Sequence, residues 1–97
     1  MVVPEKPDWE SIGFLVSSEI RQSVLRTLSE NRSTPSQISA AIERPMSHVS
    51  RALKELQDRK LAVCLTPERK KGRVYQITGL GESVLRELPV ARRSERP

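Results

Sequence analysis

Ninety-seven residues with 36% hydrophobic side chains and one each of Trp, Tyr and Phe allow a single small domain with an aliphatic core. A lone cysteine excludes a disulfide framework and a CxxC-type zinc site, and no apolar run is long enough to span a membrane. The net charge of +5 is unevenly spread: Arg44 to Arg73 holds nine Lys/Arg against three acids, so the rest of the chain is close to neutral.

A localised positive field attracts polyanions, of which nucleic acid is the commonest soluble one. The bland alternative is a surface kept soluble by charge. Residues 1–8 carry two prolines and no pattern, which reads as a flexible tail. They lack a basic segment followed by an apolar stretch, so a cytoplasmic rather than a secreted protein is expected. Next, DWESIGFLV offers Trp9, Ile12, Phe14, Leu15 and Val16, as a short helix or an extended arm; Gly13 leaves that open. In SSEIRQSVLRTLSEN, Ile20, Val24, Leu25 and Leu28 form one stripe, with Ser17 or Ser18 as N-cap.

STPSQISAAIER has a well-marked start. Thr34 is the expected N-cap, Pro35 suits the first helical position, and Gln37 completes a capping box. Ile38, Ala41 and Ile42 are the expected buried face, and Pro45 is expected to end the helix or to open the next. A second helix follows at once over 46–59, with Val49, Ala52, Leu53 and Leu56 at helical spacing. Two helices so tightly joined describe a helix-turn-helix.

After Lys60 the apolar period changes to two. Leu61, Val63 and Leu65 are expected on one side of a strand, and Tyr75 and Ile77 on one side of another. The polar PERKKG between them makes a β-hairpin with a basic tip over 66–73. TGLGESVLREL then places Leu80, Val84, Leu85 and Leu88 at helical spacing with Thr78 as cap, and residues 89–97 read as a basic disordered tail.

Helix, helix-turn-helix, basic-tipped hairpin, helix is the order of a winged helix-turn-helix over residues 9–88. The fold class is therefore mainly α with a small β-hairpin (α+β). SVLRTL, TPSQIS, SHVSRALKELQDRKLAVCLTPERKKGRVYQIT and GESVL resemble the small archaeal winged-helix transcriptional regulators, related in fold to the ArsR-type and MarR-type regulators. These proteins often carry Gly where this chain has Lys60.

That resemblance implies a regulator of double-stranded DNA. A helix in the major groove needs an apolar anchor and polar groups that reach base edges near its N-terminal end. Ser47, His48 and Arg51 are the expected base readers, Arg51 being able to pair with guanine through two hydrogen bonds. Ser50 and Lys54, with Ser36 and Gln37 at the preceding helix start, are expected on the DNA backbone. Arg69, Lys70, Lys71 and Arg73 repel one another at a loop tip unless phosphates lie beside them; a charge cluster that only discourages aggregation is the alternative. Two-fold pairing on palindromic sites is common for such proteins. A homodimer is expected through Trp9, Ile12, Phe14 and Leu15 together with Val84, Leu85 and Leu88; the alternative is that Trp9 and Phe14 finish the core of one chain.

No catalytic motif, metal set, cofactor site or small-molecule effector site is read in the chain. His48 and Cys64 are too few for a zinc site within one chain, and Cys64 reads as a small strand residue. Two other function classes compete: a winged-helix module that docks another protein, and a non-specific nucleic-acid or chromatin binder.

Overall fold

The computed structural model describes residues 9–88; the expected tails, 1–8 and 89–97, lie outside the described residues. The described residues form α1 (Trp9–Val16), α2 (Glu19–Glu30), α3 (Pro35–Ile42), α4 (Met46–Asp58), β1 (Ala62–Cys64), β2 (Tyr75–Ile77) and α5 (Gly79–Arg86). This is the order expected for a winged helix-turn-helix. The DWESIGFLV segment is thus a helix, and its Ile12 and Leu15 stack inward one turn apart.

Small polar side chains set three of the helix starts by taking up free backbone donors. The Ser18 side chain accepts from the Arg21 N–H at 3.3 Å to open α2. At α3 the capping box is reciprocal: Gln37 N–H donates to Thr34 Oγ1 at 3.2 Å, and Thr34 N–H donates to Gln37 Oε1 at 2.9 Å. Thr78 Oγ1 accepts from Gly81 N–H at 2.9 Å at the head of α5. For α4 the cap position is Pro45, whose carbonyl accepts from His48 and Val49 at 3.0 and 3.1 Å.

The end of α3 differs from expectation. The helix stops at Ile42 because Glu43 adopts a left-handed conformation (φ 57°), so Glu43 and not Pro45 makes the turn. Ser39 Oγ donates to the Arg44 carbonyl at 2.6 Å and braces the reversal. Of the expected buried face, Ile38 is fully buried, Ile42 is half-buried and Ala41 is exposed. A helix of two turns presents only one ridge to α2 and α4, and Ile38 occupies it.

At its C-terminal end α4 closes with a Schellman motif. Lys60 takes φ 64°, its N–H donates to Gln57 O at 2.9 Å, and Leu61 N–H donates to Leu56 O at 2.9 Å. Leu61 is driven into the core at 0% exposure. A left-handed L-residue is strained by ~1–2 kcal/mol, and glycine's extra unfolded-state entropy recovers only part of that. Lys60→Gly should therefore raise the melting temperature by about 4 °C, or roughly 0.5–1 kcal/mol. A lowered melting temperature by calorimetry would show that the Lys60 side chain stabilises more than its backbone strains.

This turn also resets the strand that follows. Leu61 belongs to the helix cap, so the inward residues of β1 are Ala62 and Cys64, while Val63 and Leu65 face out. The expectation that Leu61, Val63 and Leu65 share one side of the strand is corrected on that ground: Leu61 is buried, and Val63 and Leu65 are exposed. β1 pairs antiparallel with β2 in the register Ala62 to Ile77, Val63 to Gln76 and Cys64 to Tyr75. Tyr75 and Ile77 do face the core. A third backbone segment joins them: Ser33 exchanges two hydrogen bonds with Tyr75, at 3.0 and 2.8 Å. That bridge ties the α2–α3 loop to the hairpin and so fixes the helix-turn-helix relative to the wing.

Helix α2 is the hub, packing on α1, α3, α4, α5 and β2. Leu15, Leu25, Ile38, Leu53, Leu56 and Leu61 are fully enclosed around it. Burial at this aliphatic centre, at ~25 cal/mol per Å² of apolar area, holds α4 with its polar side outward.

Candidate nucleic-acid interface

At 100° per residue, burying Val49, Ala52, Leu53 and Leu56 turns Ser47, Arg51, Lys54 and Asp58 directly away from the core. Ser50 sits on one flank of that ridge. His48 and Glu55 sit on the other, facing the start of α2 across a shallow concavity also lined by Arg21 and Arg51. Ser47, His48, Ser50, Arg51 and Lys54 are all exposed. Lys54 reaches Asp58 only at 4.0 Å, and among the described residues the Arg51 side chain makes no hydrogen bond or ion pair.

The start of α3 offers less than its residue types suggest. Gln37 and Ile38 N–H groups already bond to Thr34, Pro35 has none, and the Gln37 side-chain Oε1 is held in the capping box. What remains for an anion is the Ser36 N–H and hydroxyl with the Gln37 amide donors.

The wing connection turns through Gly72 (φ 65°), a conformation that favours glycine. Arg73 Nε donates to the Arg69 carbonyl, and Arg69 Nη1 donates to the Gly72 carbonyl at 3.4 Å. Arg69 and Arg73 thus brace the loop with one nitrogen each, while Lys70 and Lys71 extend as exposed cations. Two other cations of the basic segment turn elsewhere. Arg44 lies 3.8 Å from Glu19, and Arg59 lies 3.8 Å from Glu10.

A cluster that the sequence did not single out fixes α4 from behind. Arg21 Nε donates to Glu55 Oε1 at 2.9 Å, and Arg21 Nη1 donates to the Phe14 carbonyl at 2.9 Å. The guanidinium carbons of Arg21 and Arg59 lie 4.0 and 4.9 Å from the centre of the Phe14 ring. The Arg21 hydrogen bond holds the Glu55 carboxyl below its usual range, against an opposing push from burial and with help from the charges of Arg21 and Arg51. Glu55 is therefore an anion at neutral pH.

The expected pairing surface needs correction. Ile12, Leu15, Val84 and Leu88 are buried within one chain, at 7%, 0%, 2% and 3% exposure, because α1 and α5 close over α2. Phe14 is half-buried under its two guanidiniums, and Leu85 is half-buried. Of the seven, Trp9 is well exposed; Val16 in α1 and Leu80 in α5 are also exposed. Cys64 lies half-buried on the inner side of β1. No group of three or more His, Cys, Asp or Glu placed to hold a metal occurs among the described residues, nor is any of their helices long and apolar enough to cross a membrane.

The model of the HVO_A0261 N-terminal domain family matches residues 9–96. The fold is similar to that of the MarR family transcription regulator SP03579, at 26% identity and a TM-score of 0.68, covering 78% of this chain and 52% of that one. Lactococcus lactis ZitR in complex with DNA matches at 20% identity and a TM-score of 0.68, over 79% of this chain and 53% of its own. NMB1585, a MarR family regulator from Neisseria meningitidis, matches at 23% identity and a TM-score of 0.68, over 89% and 61%. The chain thus spans about half of the length of the first two of these structures and 61% of the third. No curated protein matches it.

Proposed function

The chain belongs to the HVO_A0261 N-terminal domain family, and from that premise we propose that it is a sequence-specific regulator of transcription that binds double-stranded DNA. The observation that carries this reading is the outward ridge of α4. It presents an unpaired Arg51 between small polar Ser47 and cationic Lys54, with the Lys70 and Lys71 wing tip on the same chain. A helix with such a ridge fits a groove about 12 Å wide. Ser47 and Arg51 read base edges, His48 approaches from the flank, and Ser36, Gln37, Ser50 and Lys54 meet phosphates. The wing, with Arg69, Lys70, Lys71 and Arg73, lies on the backbone or in the neighbouring minor groove. It is a cytoplasmic homodimer paired through exposed α1 and α5 side chains, Trp9 foremost, and reads two half-sites.

Selection of bound duplexes from a random-sequence pool at physiological salt tests this. A palindromic consensus supports a dimeric reader; bound DNA without a consensus indicates the non-specific binder, and no bound DNA indicates a protein-docking module. On the consensus, Arg51→Ala should lower the preference over a scrambled duplex by about tenfold, within the ~1–3 kcal/mol of a paired guanine contact. Lys70→Ala should weaken both duplexes about equally. Equal losses on both duplexes from both variants would reject base reading by Arg51.

A further inference from the structure

Arg51 and Glu55 stand four residues apart on α4, a spacing at which opposite charges on a helix surface meet and pair. Here they do not. The Glu55 carboxylate is taken by Arg21 from α2, through Nε at 2.9 Å, and Arg51 is left without a hydrogen bond or ion pair among the described residues. Arg21 is itself held from three directions: its Nη1 donates to the Phe14 carbonyl at 2.9 Å and to Ser17 Oγ at 3.3 Å, and its plane lies against the Phe14 ring. An arginine fork so placed competes for the carboxylate with its geometry already set, whereas Arg51 would have to order a long exposed side chain to do so.

We infer that Arg21 is a positioning residue for base recognition, keeping the Glu55 carboxylate from pairing directly with Arg51 and so leaving the Arg51 fork free for a DNA base. The inference rests on the DNA-binding reading above. A guanidinium drawn along its own helix by a carboxylate four residues on is aimed away from the groove, and that pair has to be broken before its fork can meet a guanine edge. Arg21 therefore acts on DNA through Glu55 and Arg51 without touching it.

The test uses the full chain, the duplex it selects from a random-sequence pool, and a scrambled duplex of the same composition. Arg21→Met should lower the preference for the selected duplex by about twofold, the cost of breaking an i, i+4 ion pair of ~0.2–0.5 kcal/mol before Arg51 reaches its base. Arg21→Met combined with Glu55→Gln should restore the preference to that of the original chain, because no carboxylate is left to capture Arg51. Recovery separates this role from a prop. If Arg21 only supports α4, the double variant has lost the same support and stays as poor as the single one, which overturns the inference. An undiminished preference in folded Arg21→Met also overturns it. Where Arg21→Met fails to fold, Arg21→Gln keeps a donor for the Phe14 carbonyl and is read in the same way, alone and with Glu55→Gln. If the original chain selects no sequence at all, the DNA-reading function fails; if it selects one and Arg21 proves irrelevant to it, only this inference does.

Discussion

Raising salt from about 50 to 200 mM should weaken binding of the chain to its DNA by ~10³–10⁵-fold. The range follows from the cations available. Lys54, Lys70 and Lys71 are exposed and unbraced apart from the 4.0 Å approach of Asp58 to Lys54, which would give six phosphate contacts in the proposed dimer. Arg69 and Arg73 each hold a loop carbonyl with one nitrogen and keep the others, raising the count to ten. Each neutralised phosphate adds ~0.9 to the slope of log K against log salt, so slopes of about −5 to −9 are expected. Arg44 and Arg59 are left out because they face Glu19 and Glu10. Fluorescence anisotropy on a labelled duplex measures the slope directly. A slope shallower than about −2 would remove DNA as the main partner. A slope near half the expected value would instead indicate one chain per site.

The parts of this molecule that were legible beforehand are those with a local signature. The Thr34–Gln37 capping box, the α4 stripe of Val49, Ala52, Leu53 and Leu56, and the polar tip between two β-prone runs each repeat or cap within a few residues. What escaped the sequence lies in long-range pairings of single residues. Arg21 and Glu55 are 34 positions apart and sit in two separate helical patterns, each of which explains them as ordinary solvated charges. Ser33 and Tyr75 pair by one bridge, too short to leave an alternation. The strand parity differs for a related reason: Lys60 adopts a left-handed turn that glycine normally marks, so Leu61 continues the apolar alternation in sequence while belonging to the helix cap. The apolar ends of the chain also looked like a pairing surface. Helical spacing in α1 and α5 shows that a face is buried, and it does not say whether the cover is α2 or a second copy.

Gly81→Ala should destabilise the fold by about 3 kcal/mol, the upper end of the usual cost of overpacking, and lower the melting temperature by on the order of 15 °C. A Cβ at this position would lie 2.2 Å from the Leu61 carbonyl oxygen and 2.7 Å from Ile77 Cγ1. The Ile77 side chain can shift, but the carbonyl cannot, because it accepts from Thr78 N–H at 3.0 Å in the turn that caps α4. Thr78 Oγ1 also donates to the Lys60 carbonyl at 2.8 Å, so the head of α5 is clamped onto the end of α4. Relief would require α5 to lift away and uncover Val84 and Leu88, both nearly inaccessible. Gly13→Ala and Gly79→Ala are the controls, since a Cβ at either meets nothing within 4 Å. At Gly13, inside α1, alanine should stabilise by roughly 0.5–1 kcal/mol through helix propensity. Thermal melts of the three variants side by side decide the matter. A Gly81→Ala melting temperature within about 2 °C of the original chain would mean that α5 does not sit against Leu61 as described. Because the clamp grips the end of α4, DNA affinity of Gly81→Ala should fall in step with the unfolded fraction and recover on cooling below its lowered transition.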